Sequence, residues 1–278
     1  MTPLTRAFRP VGVALRRLGW RTSYGILDPS AYQFYSNIIA AGYDPTKTID
    51  VVPEGGVIYV SVPKAASTSI KTFLSTFLGR KVESSEAAQS RRLSGLRAPH
   101  HVGLSRFYRL ATDPKVLRFS FVRNPYARLV SCWSDKFKDK PLVAGDPFVN
   151  VYCAWLAEEQ PRTVAARGAT LTFPDFVNFA CQTARDRIDP HWQLQSDIIN
   201  VPGLALDFIG RVESFKNDFA VVCDHLALPR HRVPLAATQV SSRGPWKNFY
   251  TTELANTVYQ TYERDFDQFE YCRALIDY

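Results

Sequence analysis

The sequence predicts an α/β domain of three layers (α/β/α), with helices on both faces of a mainly parallel central sheet. Two observations carry that reading. Short apolar runs of strand length recur along the chain, VIYVSV at 57–62, LRFSFV at 117–122 and ALDFIGRV at 205–212. Each is followed by a segment whose apolar residues return at helical spacing, and strands alternating with helices favour a parallel sheet. Ligands of such sheets sit at the carboxyl ends of the strands.

Residues 1–50 read as a basic lead-in, with turn signals at Asp28-Pro29 and Asp44-Pro45. The opening MTPLTRAFRPVGVALRRLGWR lacks the apolar core of a signal peptide, and Pro10 and Gly12 interrupt any helix. It is expected to be a loose basic arm offering peripheral contact with a membrane surface. Residues 51–278 are expected to form one large domain. Its first unit is strand 57–62, loop 63–67 and helix 68–79, with Ile70, Phe73, Leu74 and Phe77 on the apolar face. The polar, basic stretch 80–99 reads as a loop or mobile surface segment. After strand 117–122, Pro125 opens a helix carrying Tyr126, Leu129, Val130 and Trp133. A loop at 139–146 precedes helices at 148–158 and 174–184. Strand 205–212 leads to a helix over 214–227 with Phe215, Phe219, Val222 and Leu226 on one face. The last helix starts at Thr251 or Thr252 and carries Leu254, Val258, Tyr262 and Phe266.

With 278 residues and 46% hydrophobic content the chain can bury a sizeable core, and 13% aromatics argue against disorder. The formal charge is +8, from 34 Lys and Arg against 26 Asp and Glu, which suits an anionic ligand or surface. Five scattered cysteines include no C-x-x-C pair, so neither a zinc site nor a disulfide framework is expected. No stretch reaches the roughly 20 apolar residues of a spanning helix, and a cytoplasmic protein, with or without association to a membrane surface, is expected.

The chemistry concentrates in VIYVSVPKAASTSIKT at 57–72. A strand, a short loop with Lys64, and a helix start rich in hydroxyls (Ser67, Thr68, Ser69) make an anion site, because free N–H groups, the helix dipole and the ammonium all favour negative charge. The alternative is that the hydroxyls merely cap the helix. The glycine-rich ATP loop G-x-x-x-x-G-K-[ST] is absent. In FSFVRNPYARLVSCWSDKF at 119–137, Arg123 ends a strand and Ser131 lies one to two turns into the next helix. A guanidinium there can hold phosphate bidentately, or pair with a surface carboxylate.

Together, VPKAASTSIK and, about fifty residues later, FVRNPYARLVS resemble the two nucleotide-binding signatures of sulfotransferases. LTFPDFVNF at 171–179, DPHWQLQSDII at 189–199, LDFIGRVESFKNDFAVVCDHL at 206–226 and YTTELANTVYQTYERDFDQFEY at 250–271 are similar to the carbohydrate sulfotransferases acting on chondroitin and dermatan. The resemblance implies a P-loop-NTPase-like sulfotransferase fold. It also implies transfer of a sulfuryl group from 3′-phosphoadenosine 5′-phosphosulfate (PAPS) to a carbohydrate or glycolipid hydroxyl, with no metal and no nucleic-acid partner.

Carried over by residue, Lys64 contacts the phosphosulfate. The N–H groups of Ala65, Ala66, Ser67, Thr68 and Ser69, with the three hydroxyls, cradle the 5′-phosphate, and Arg123 and Ser131 grip the 3′-phosphate. SSRGPWKNFYTTEL resembles the Arg-Lys-Gly loop of cytosolic sulfotransferases and makes Arg243 a third anchor, with Ser242 where that loop's first Arg would stand. Ala66 occupies a place where many relatives carry Gly, and a left-handed backbone there would strain it by roughly 1 kcal/mol.

Transfer benefits from a base, and histidine suits neutral pH. PHHVGLSRF resembles a segment of heparan sulfate 2-O-sulfotransferases and designates His101 as base, with neighbouring His100 able to substitute. His191, in Asp-Pro-His-Trp, touches substrate, orients the base or packs as a structural histidine. His225 and His231 read as structural or solvated. Arg91, Arg92 and Arg97 either face an acidic acceptor or form a solvated basic face. The competing readings are a phosphotransferase with a degenerate loop, and a non-catalytic module for acidic glycans.

Overall fold

The computed structural model describes residues 28–159, 169–185, 189–232 and 245–275. Its described residues divide into two compact units. A sheet unit is built from 28–123 and 195–232, and a helical unit from 124–159, 169–185, 189–194 and 245–275.

In the sheet unit, Asp28 caps α1 (Pro29–Ala40), its Oδ1 accepting from the Ala31 N–H at 3.1 Å, with Pro29 preset for the first turn. Asp44 caps the short α2 (Pro45–Thr48) in the same way. The strands are β1 (Ile49–Val52), β2 (Val57–Val60), β3 (Leu117–Val122) and β4 (Phe208–Arg211), in that order across one sheet. β1 runs antiparallel to β2, and β2, β3 and β4 run parallel. The mainly parallel α/β architecture, a mixed sheet flanked by helices, is therefore as the sequence predicts.

The details differ. The sheet begins at β1, across the expected boundary at residue 50. A four-residue strand interrupted by Asp50 and cut off by Pro53 is too short to stand out by pattern. β2 stops at Val60, and Ser61 instead donates to the Thr48 carbonyl at 2.7 Å. β4 is shortened at its start by a clamp. The Asp207 carboxylate accepts from the Arg118 backbone N–H (2.8 Å), Nε (2.8 Å) and Nη2 (2.6 Å).

The helices of this unit include α3 (Ser67–Phe77). The supposed loop at 80–99 holds α4 (Ser85–Gln89), capped by Ser84, and α5 (Arg91–Ser94). It then returns to the sheet, where Arg97 bridges Val51. α6 (Pro99–Val102), α7 (Leu104–Thr112), α11 (Gln195–Ile199) and α12 (Phe215–His225) complete it. One core cluster joins Ile70, Phe73 and Leu74 of α3 and Phe215, Phe219 and Val222 of α12 to Tyr59, Phe119 and Phe121 of the sheet. Gly210 is the cross-strand partner of Phe121, and a Cβ there would lie 2.5 Å from the ring. Gly210→Ala is expected to destabilise the protein by about 1–3 kcal/mol through overpacking, read as a lowered urea midpoint.

In the helical unit, the Asn124 Oδ1 accepts from the Tyr126 and Ala127 N–H groups and caps α8 (Pro125–Lys136). α9 (Pro147–Glu159), α10 (Phe173–Thr183) and α13 (Thr252–Gln268) follow, the last two capped by Thr172 and Thr251. Their buried faces meet around Phe179, Trp192 and Tyr262. No described helix is long and apolar enough to cross a membrane.

Candidate functional site

The loop joining β2 to α3 is built on an unusual backbone. Lys64 (φ 67°) and Ala66 (φ 58°) are both left-handed without being glycine. The Cβ clash costs on the order of 1 kcal/mol at each, so strain is concentrated at this point. Left-handed residues stand on either side of Ala65, and turns with left-handed residues are a backbone device that can aim N–H groups at an anion. Ala65 itself is fully buried and its N–H donates to the Val62 carbonyl at 3.3 Å, so that N–H is already engaged rather than open to a ligand as expected.

Ala66 is the N-cap of α3, and no side chain caps the helix. The reading of Ser67, Thr68 and Ser69 as caps is thereby overturned, since all three lie inside the first turn. The N-cap offers the first-turn N–H groups no side-chain acceptor, and they stand at the positive end of an eleven-residue helix.

Arg123 follows β3, which lies beside β2 and parallel to it, so both basic turns leave the same carboxyl edge of the sheet. The Arg123 Nη1 donates to the Lys64 carbonyl at 3.4 Å. The backbone of Arg123 is held by a residue that sequence reasoning missed. The Gln195 side chain accepts from the Arg123 N–H at 2.9 Å and donates to its carbonyl at 2.8 Å. Gln195 is fully buried, and a lone Gln in an amphipathic run carries no signal of this task. Ser131 lies on α8 of the helical unit and is half-buried. Arg243 lies outside the described residues.

A second missed group stands behind the loop. Asp50 of β1, 1% exposed, lies 3.5 Å from the Lys71 ammonium and 2.6 Å from the Arg91 guanidinium. Lys71 also donates to the Gln89 Oε1 at 2.7 Å. Of the arginines offered for an acceptor, Arg91 is thus held against Asp50 and Arg97 against Glu54 at 2.8 Å. Arg92 is exposed.

The histidines differ in chemical state. In the sheet unit, His100 and His101 share the single turn of α6, ring centroids 4.0 Å apart. The His101 Nδ1 accepts from the Ala98 N–H at 3.3 Å, which places the proton of the neutral ring on Nε2. In the helical unit, the His191 Nδ1 donates to the Asp189 carboxylate at 2.7 Å, and the backbone N–H of His191 donates to the same oxygen at 2.8 Å. Its Nε2 therefore carries the lone pair, the tautomer a base requires. Buried Arg128 donates to the Pro190 carbonyl at 2.6 Å and the Gln193 carbonyl at 2.8 Å, and so fixes the backbone on either side of His191. His225 is structural, its Nε2 2.9 Å from the Gly56 carbonyl, and His231 sits in a surface turn.

The chain is similar to known proteins. A family model described as "Sulfotransferase family" matches residues 47–272. Carbohydrate sulfotransferase 8 of Homo sapiens is 27% identical over 181 residues, covering 63% of this chain and 42% of that protein. Carbohydrate sulfotransferase 11 of Rattus norvegicus is 25% identical over 235 residues, covering 77% and 64%. Carbohydrate sulfotransferase 14 of Danio rerio is 25% identical over 183 residues, covering 63% and 47%. The chain thus spans from about two fifths to under two thirds of the length of these relatives. No solved structure matches it. With the family model covering most of the sheet unit and the helical unit alike, the chain belongs to the sulfotransferase family.

Proposed function

We propose that this protein transfers a sulfuryl group from PAPS to a hydroxyl of a carbohydrate acceptor, free or on a glycolipid. The observation that carries this is the pairing of two cationic turns at one sheet edge, with the Arg123 guanidinium on the Lys64 carbonyl. The names of the relatives, all carbohydrate sulfotransferases, point the same way.

Lys64 takes the phosphosulfate and offsets charge growing on the leaving phosphate. The N–H groups from Ala66 to Ser69 and the hydroxyls of Ser67, Thr68 and Ser69 hold the 5′-phosphate. Arg123 and Ser131 hold the 3′-phosphate, with Arg243 as a further anchor. The acceptor oxygen attacks sulfur in line with the leaving phosphate, and the S–O bond to the phosphate breaks as the new one forms. Positioning and fixed positive charge lower the barrier, and no metal takes part in the proposed transfer.

A histidine takes the acceptor proton. His101, with His100 beside it, is one candidate, but the Ala98 N–H occupies the Nδ1 lone pair and leaves Nε2 protonated. The Asp189 hydrogen bond favours His191, whose Nε2 is free of a proton in the neutral ring.

Calorimetry with 3′-phosphoadenosine 5′-phosphate (PAP) and transfer of labelled sulfate from PAPS across glycan and glycolipid acceptors test the proposal. Binding and labelling are expected, and a protein that does neither is not such an enzyme. His191→Ala is expected to lower kcat about a hundredfold or more with PAP affinity retained. If His101→Ala shows that signature and His191→Ala does not, the base is His101.

A further inference from the structure

We propose that Gln89 is a positioning residue that sets the Thr68 hydroxyl to donate into the anion loop, a role that rests on the PAPS reading above. The argument is one of hydrogen-bond polarity. The ammonium of Lys71, itself 7% exposed, lies 3.5 Å from the buried Asp50 carboxylate. An ammonium has only donors, so the oxygen of the Gln89 amide faces it, at 2.7 Å. The Gln89 NH2 then faces Thr68, and its Nε2 lies 3.4 Å from the Thr68 Oγ1.

The NH2 group also has only donors, so the Thr68 oxygen accepts and its own proton is turned elsewhere. Among the described residues that proton has no acceptor. Thr68 is the second residue of α3, in the uncapped turn beside Ala66. Carboxylate, ammonium, amide and hydroxyl thus form a chain of fixed polarity whose last free donor stands at the loop. An anion completes it, and a ligand needing a hydrogen-bond acceptor from Thr68 is disfavoured.

Gln89 is exposed on the short α4, so its replacement leaves the core untouched. Gln89→Ala is expected to weaken PAP binding about three- to tenfold, the worth of one oriented hydrogen bond, with the unfolding midpoint unchanged. Gln89→Glu keeps the bond from Lys71 but demands the Thr68 proton and adds negative charge, so a larger loss is expected. In a Thr68→Val background, Gln89→Ala is expected to cost nothing further. Wild-type affinity in Gln89→Ala, or a loss that adds in full to that of Thr68→Val, overturns the inference. Inorganic phosphate serves as the second probe. A wild-type protein that holds phosphate but not PAP sinks the nucleotide reading alone, and the same cycle is then read on phosphate. One that holds neither overturns both.

Discussion

Lys64→Ala and Arg123→Ala are each expected to reduce sulfuryl transfer at least about a hundredfold, the usual cost of removing a preorganised charge from a transition state. Circular dichroism is expected to match wild type, because neither side chain belongs to the buried core cluster. The two losses differ in kind. In the proposed transfer Lys64 answers charge that grows as the S–O bond breaks, so its loss is expected to fall mainly on kcat. In the same proposal Arg123 grips a phosphate that does not react, so its loss is expected to raise KM for PAPS and to abolish measurable PAP binding. Arg123→Lys is a poor substitute, since an ammonium lacks the planar fork that can hold phosphate while touching the Lys64 carbonyl. Wild-type turnover by either alanine variant in the labelled-sulfate assay would refute the assigned roles.

Arg128→Met is expected to be the most destabilising single change in the helical unit, by about 3–5 kcal/mol. Arg128 is 1% exposed, and burial lowers its pKa, while Tyr262 and fully buried Asp265 act in the opposite direction. Removing the cation leaves Asp265 without that compensation and strips donors from the Pro190 and Gln193 carbonyls. Urea denaturation reads the loss directly. Arg128→Lys is expected to recover only part of it, because one ammonium cannot follow both carbonyl directions. A midpoint equal to wild type would show that the guanidinium is not the post on which 189–194 hangs.

How much of this is legible before folding depends on how local the cause is. β3 has the bounds the sequence predicts, because LRFSFV places Leu117, Phe119 and Phe121 at strand spacing and breaks off before Arg123-Asn124-Pro125. The helix starting at Pro125 was likewise predicted by proline at the first turn. That Lys64 and Arg123 leave one sheet edge is legible because strand, loop and helix are adjacent in the chain. β1 was missed because four residues carry little pattern, and 80–99 was misread because its order comes from Arg91 reaching Asp50, 41 positions away. Gln195 and Gln89 act through partners 72 and 21 positions distant, and nothing in their neighbourhoods announces it. The opposite tautomers of His101 and His191 depend on one hydrogen bond each, and such signs belong to three-dimensional structure alone.

The paired left-handed turns at Lys64 and Ala66 bear on how quickly the protein can respond to the donor proposed for it. A glycine hinge would let this stretch sample several shapes and settle only on contact, at an entropic cost to each encounter. Alanine and lysine favour other backbone shapes, so they stay left-handed only because the strand before them and the helix after them impose it. In the proposed transfer, capture then resembles a key meeting a cut lock, and release of the spent nucleotide need not await any remodelling of the turn.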